Sequence, residues 1–252
     1  MNNAFRALWS RELTLFRRNP VSEGILYLLL PLLFFLLFGL GFQSVVGKLD
    51  GIPYLAYLIP GLVLMTIALT AFDSVAWFHV LNRRNRQWDE VVLMGAFPNK
   101  PGLLLAELTL GAVKGLIHGV IILVITLFLA GSTGVDLNIQ AFLAFMILTA
   151  IQFAAWGHLA GMYTPPGPML GRLVAFFIFP LFLVSGLGWE ISLYAPVFES
   201  IVRWLPTHTL IAGAQSGFLR GGIENLFLII AFIETVLLVG IVHMLTDNRG
   251  RA

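Results

Sequence analysis

The sequence predicts an all-α integral membrane protein with six transmembrane helices in a single domain, residues 1–252. Three smaller features accompany the spans: an N-terminal amphipathic interface helix, a short cytoplasmic helix between spans two and three, and re-entrant or capping helices on the outer side between spans five and six. Three observations lead there. Of 252 residues, 58% are hydrophobic and only 11% charged, where a soluble domain is about 45–50% apolar and about 25% charged. The apolar residues gather into continuous runs near the roughly 20 residues that cross a ~30 Å hydrocarbon core, without the in/out alternation of a membrane barrel. The basic residues concentrate in alternate connecting segments, as the positive-inside rule expects.

The elements follow in chain order. In residues 1–20, Phe5, Leu8, Trp9, Leu13 and Phe16 recur at helical spacing with Arg6, Ser10 and Arg17 on another side, and Pro20 ends the run. That pattern describes a helix lying along the inner leaflet. No A-x-A-like cleavage site follows the first apolar run, so the first span is expected to be retained. Spans are predicted at 25–42, 54–78, 103–130, 141–163, 170–187 and 226–245. Pro31, Pro60 and Pro180 predict kinks, because neighbouring helices can satisfy the carbonyls that proline frees.

Two connections carry character of their own. In 79–102, Arg83, Arg84 and Arg86 precede Asp89, Glu90 and the apolar Val91, Val92, Leu93 and Met94 before Gly95 and Pro98. A short helix near 87–94 fits there, with an apolar edge suited to a partner groove. In 189–225, Leu210, Ile211, Ala214 and Phe218 share a helical face, while Glu190, Glu199, Arg203, His208, Arg220 and Glu224 interrupt any run near 20 residues. This segment is predicted to cap the bundle on the outer side.

With the N-terminus inside, Arg6, Arg11, Arg17, Arg18, Arg83, Arg84, Arg86, Lys100, Arg172, Arg249 and Arg251 fall on the cytoplasmic side, against Lys48, Arg203 and Arg220 outside. Both termini are therefore expected in the cytoplasm, which requires an even number of spans. The formal charge of +2 gives no footprint for nucleic acid, and the absence of cysteine excludes disulfide and thiolate chemistry. His79, His118, His158, His208 and His243 show no metal-ligand spacing along the chain, so no metal site and no catalytic residue are expected. No G-x-x-x-x-G-K-[ST] sequence is present; Gly47-Lys48 lacks its flanking residues. An ATP-driven reading thus needs the nucleotide site on another polypeptide.

Asp73, Glu107, Lys114, His118 and Glu234 lie within predicted spans. Charges there cost about 2.5–3.5 kcal/mol on insertion scales, so each is expected to face a partner or a cavity. Counted from the inner ends, Lys114 and Glu234 have matching depth near the midplane, which predicts that they pair, with Glu107 or Asp73 as the other acids in reach. The group reads either as structural ion pairs or as a polar wall that meets an amphiphile's head group. Gly111, Gly115 and Gly119 repeat at the small-xxx-small spacing that brings a second backbone close.

These parts in this order resemble the permease subunit of type 2 ABC exporters, closest to the branch of nodulation-factor, polysaccharide and lipid export. The resemblance covers essentially the whole chain. It rests on Arg17-Arg18-Asn19-Pro20, on Pro31 and Phe38-Gly39-Leu40-Gly41, on Pro60-Gly61-Leu62, on the basic loop ending in Pro98, and on Ala106-Glu107. Farther along it rests on Phe179-Pro180-Leu181-Phe182-Leu183-Val184-Ser185-Gly186 and on Trp204-Leu205-Pro206-Thr207-His208. The chain departs from the family in having Gln87-Trp88 where a Gly-Thr pair often precedes the coupling carboxylate, and Phe97 before the loop proline.

The resemblance implies a dimeric permease, expected as a homodimer, in the cytoplasmic membrane. It implies two P-loop ATPase subunits that hold the ATP and magnesium, with no cofactor on this chain, and an amphiphilic cargo: lipid, lipid-linked glycan or hydrophobic drug. Arg83, Arg84, Arg86, Asp89, Glu90, Val92 and Met94 fall at the coupling helix, and Trp204, Pro206 and His208 at the outer gate. A secondary transporter or channel working without ATP is the alternative reading.

Overall fold

The computed structural model describes residues 2–49, 51–84, 100–131, 136–165 and 169–248. Helix α1 (Asn2–Arg18) has the predicted N-terminal extent, and its last turn carries Arg17 and Arg18 against the carbonyl end of the helix dipole. A π turn (Val21–Ile25) leads into α2 (Leu26–Val46), which holds Pro31 and a second π stretch, Phe35–Leu40. Proline supplies no N–H to the helical ladder, and a locally widened turn is one way the chain accommodates that loss. Gly47, with φ of +64°, stops α2 and starts a small antiparallel hairpin of β1 (Lys48–Leu49) and β2 (Ile52–Pro53).

Helix α3 (Tyr54–Arg84) follows at once and forms the centre of the molecule. It is apolar all round and buried on every side through residues 54–72, as a helix without a polar face must be. Helices α4 (Lys100–Ala130) and α5 (Ile139–Tyr163) pack along it on two flanks and on each other. Small residues make that approach possible. A Cβ at Gly115 of α4 would stand 2.8 Å from the carbonyl oxygen of Ile67, and one at Gly161 of α5 would stand 2.9 Å from that of Ala76. Gly111, Gly119 and Gly157 press on α3 in the same way, so the predicted glycine stripe is the α3–α4 contact. The 31 residues of α3 and of α4 reach about 46 Å each, longer than the ~30 Å hydrocarbon core.

Helix α5 starts at the N-cap Asn138, whose side chain accepts from the Ala141 N–H at 3.1 Å. Helix α6 (Met169–Val184), with a π stretch at Val174–Ile178, is shorter than 18 residues. The predicted fifth span, 170–187, thus ends early for a local reason. Gly186 takes φ of +97° and turns the chain, so apolar Leu187 belongs to that turn and packs on Gly61 of α3.

The segment between α6 and α9 holds a 3₁₀ turn (Ile191–Leu193), then α7 (Pro196–Arg203) and α8 (Pro206–Leu219), each opened by proline in its first turn. Neither is long enough to cross a bilayer. Leu210, Ile211, Ala214 and Phe218 of α8 are buried, and the helix packs on α5, α9 and α3. Helix α9 (Asn225–Asn248) closes the bundle against α5 and α8. Among the described residues, α2, α3, α4, α5 and α9 are long and apolar enough to span a membrane.

Candidate functional site

Polar chemistry gathers in three places, and an apolar cleft connects two levels of the bundle. The first place is a recess of about 280 Å³ where α1 meets α2, α3 and α4. Lys114 Nζ donates to Glu12 Oε2 at 2.7 Å, with both side chains largely buried. Tyr27 Oη donates to Asp73 Oδ2 at 2.6 Å, and the Arg11 guanidinium lies over the Phe78 ring at 5.2 Å. His118 Nδ1 donates to the Lys114 carbonyl at 2.8 Å, and its ring meets Tyr27 edge-on.

This geometry corrects the predicted pair of Lys114 with Glu234. Equal depth says how far along a helix a charge sits, but not which neighbour its face meets. Lys114 faces α1, whereas Glu234 lies on α9, which packs chiefly on α5 and α8. Glu234 Oε2 is buried without a hydrogen-bond partner among the described residues. Helix α1 lies outside the spans, so depth along them carries no information about Glu12.

The second place joins the C-terminal part of α3, the N-terminal part of α4 and the C-terminal part of α5. Glu107 Oε2 lies 2.8 Å from His79 Nε2 and 2.8 Å from His158 Nδ1, and the two ring nitrogens are 2.9 Å apart. All three side chains are almost fully buried. On the far side of its ring, His158 Nε2 meets Thr246 Oγ1 of α9 at 3.1 Å. Among the described residues these three offer ligand atoms close enough together to share a metal ion. Spacing along the chain gave no sign of them, since His79 and His158 come from different helices.

The third place is a recess beside α8, lined by Tyr57, Glu190, Arg203, His208, Gln215 and Arg220. His208 is buried, and its Nδ1–H donates to the Ser185 carbonyl at 3.1 Å. Ser185 and Thr207 share a hydroxyl contact of 2.5 Å, and Gln215 donates to the Gly186 carbonyl at 3.1 Å. The turn after α6 is thereby fastened to α8. Burial holds the His208 imidazole below its ordinary value; Arg203 adds to this, and the bond to Ser185 opposes it.

The residues predicted for an outer gate divide. His208 faces this recess, Pro206 opens α8 beside the apolar cleft, and Trp204 is 87% exposed, as an interfacial tryptophan should be. Glu190, Arg203, Gln215 and Arg220, which carry most of the recess's polarity, had no signal beyond being polar in an apolar chain. Of the residues predicted to couple, Arg83 and Arg84 end α3, while Arg86, Asp89, Glu90, Val92 and Met94, with the predicted helix near 87–94, lie outside the described residues.

The cleft holds about 500 Å³ between α5, α6 and α8. Phe72, Phe153, Trp156, Phe177 and Leu181 form its walls. It runs from Leu205, Pro206 and Thr207 at the turn that opens α8 to Tyr163 and Thr164 at the end of α5. From Phe153 to Tyr163 the wall covers about 15 Å along the helix axis. Its volume lies within the roughly 300–1,000 Å³ of small-molecule sites, and its lining suits a hydrocarbon chain.

Comparison with known proteins agrees with these features. Residues 3–219 match the family described as ABC-2 type transporter. The chain is similar to the inner membrane transport permease YadH of Escherichia coli, 26% identical over 231 residues, covering 91% of this chain and 87% of that protein. It is also similar to nodulation protein J of Sinorhizobium fredii, 24% identical over 203 residues, and of Rhizobium meliloti, 25% identical over 206 residues. Each of those matches covers 79% of this chain and 75% of the relative.

Proposed function

The chain belongs to the ABC-2 type transporter family, and from that premise we propose that it is one half of a dimeric exporter that moves an amphiphile outward across the membrane. As the permease subunit it carries no ATPase motif and works with a separate ATPase subunit. The multi-pass, helical chain supplies the passage, and the partner supplies the energy.

The observation that carries the substrate class is the apolar cleft between α5, α6 and α8. A lipid, a lipid-linked glycan or a hydrophobic drug has an apolar part that fits such a groove, and the groove's ends lie at two different depths. The head group then has the polar recesses at either level to move between, with Asp73 and Lys114 at one and Glu190, Arg203 and His208 at the other. The name of one relative, an inner membrane transport permease, fits a cytoplasmic-membrane location.

The finer architecture belongs to the same reading. Helix α6 serves as a short sixth crossing, which puts both termini in the cytoplasm; α7 and α8 form the re-entrant outer cap. Two identical permeases meet two ATPases, which bind ATP and magnesium, through 79–102. A diazirine-bearing lipid incorporated with the permease tests the cleft. Photolabelling is expected on peptides from α5 and α6 and is expected to fall sharply in Ala160→Trp, which fills the groove. Equal labelling of the variant would reject the cleft as the apolar path.

A further inference from the structure

The His79–Glu107–His158 cluster has a feature that hydrogen bonding does not satisfy. Three atoms in mutual contact at 2.8, 2.8 and 2.9 Å need a hydrogen on each edge, whereas the two imidazole nitrogens and an ionised carboxylate supply at most two. Thr246 makes the shortage sharper. Its hydroxyl hydrogen goes to the Val242 carbonyl at 2.7 Å, so Thr246 Oγ1 accepts from His158 Nε2–H, which leaves Nδ1 of the neutral ring as a bare lone pair. That lone pair faces the carboxylate and the second histidine. The other carboxylate oxygen, Glu107 Oε1, is buried with no hydrogen-bond partner among the described residues.

Converging lone pairs and an orphaned carboxylate oxygen in a buried setting ask for a cation. We propose that His79 Nε2, His158 Nδ1 and the Glu107 carboxylate hold a divalent transition-metal ion of the zinc kind. Two imidazoles and a carboxylate are a donor set that zinc takes, and Glu107 Oε1 can complete four donors by binding in bidentate fashion. Ligands about 2.0 Å from a tetrahedral zinc are about 3.3 Å apart, so the three groups need to open by about half an ångström. The Thr246 contact is the outer-sphere bond that orients His158. The ion would tie the C-terminal part of α3 and the N-terminal part of α4 to α5.

The test uses untagged, full-length permease in detergent, stripped with EDTA and returned to zinc or cobalt. One zinc per chain is expected to survive gel filtration, and cobalt is expected to give the visible absorption of a low-coordinate nitrogen–oxygen site. Glu107→Gln and His158→Gln should lose both. Thr246→Val keeps the side-chain volume and should weaken zinc about 10–100-fold; it supplies the comparison if an inner-sphere variant does not survive purification. Wild type that retains no metal at micromolar free zinc, or variants that retain it as wild type does, would overturn the site.

Discussion

Lys114 illustrates what a single residue can and cannot disclose. Its charge within an apolar run announced a buried partner, but that partner, Glu12, stands more than a hundred positions away on a helix outside the spans. Removing one member of a buried pair leaves the other charge uncompensated at about 3–5 kcal/mol, while removing both is far milder. Lys114→Met and Glu12→Gln are therefore expected to lower the melting temperature singly and to recover part of the loss together, whereas Lys114→Met with Glu234→Gln should be additive. Additivity in the first pair and recovery in the second would restore the pairing that depth alone suggested.

His208 gives a pH dependence with a definite sign. Its imidazole is held below 6.5 in the folded chain, so the unfolded chain takes up the proton first as pH falls. Its contribution is complete above about pH 6.5 and is lost as pH drops toward the depressed folded value. The midpoint of thermal unfolding should decline on the acid side, and His208→Gln should flatten that decline. An unchanged slope in the variant would place the acid sensitivity elsewhere.

Among the elements, the long helices were legible because hydropathy is a local property and a bilayer selects for it. The glycine stripe at Gly111, Gly115 and Gly119 was legible for the same reason, since its spacing alone sets which side approaches a neighbour. Helix α6 was misjudged in length because apolar Leu187 looks like span, and only the left-handed Gly186 ends it. The hairpin at 48–53 was not foreseen, being set by two turn glycines, Gly47 and Gly51, in a run of ordinary residues. The histidine–glutamate cluster was invisible because its members meet only once α3, α4 and α5 pack.

Packing at the centre gives a further expectation. Gly157→Val drives side-chain carbons into the backbone of α3 at Phe72 and should cost at least the about 1–3 kcal/mol of an overpacked core. At Gly240 of α9 an added Cβ meets nothing within 4 Å, and Gly240→Ala should be neutral or stabilising by up to about 1 kcal/mol. Similar melting temperatures for the two variants would contradict the α3-centred arrangement.

For the molecule as a whole, sidedness and energy coupling remain the consequential quantities. The chain has no native cysteine, so Trp204→Cys, at an 87% exposed position, should react with an impermeant maleimide added outside intact cells, while Leu58→Cys, fully buried in α3, should not. Labelling of position 204 only after the inner face is opened would invert the topology. What the fold contributes to function is a fixed core of α3, α4 and α5 with α8 packed on it, to which α1 and α6 are joined by few contacts, among them Lys114 with Glu12, and Ser185 with Thr207 and His208. Elements held that way can shift without unpacking the centre.

The most direct measurement reconstitutes the permease with its ATPase in liposomes and follows a fluorescent lipid or lipid-linked glycan from the ATPase-bearing face to the opposite one. The account predicts translocation that needs both subunits and ATP, with hydrolysis rising as the amphiphile is added and translocation suppressed by Ala160→Trp. Translocation that proceeds equally without ATP or without the ATPase would contradict it.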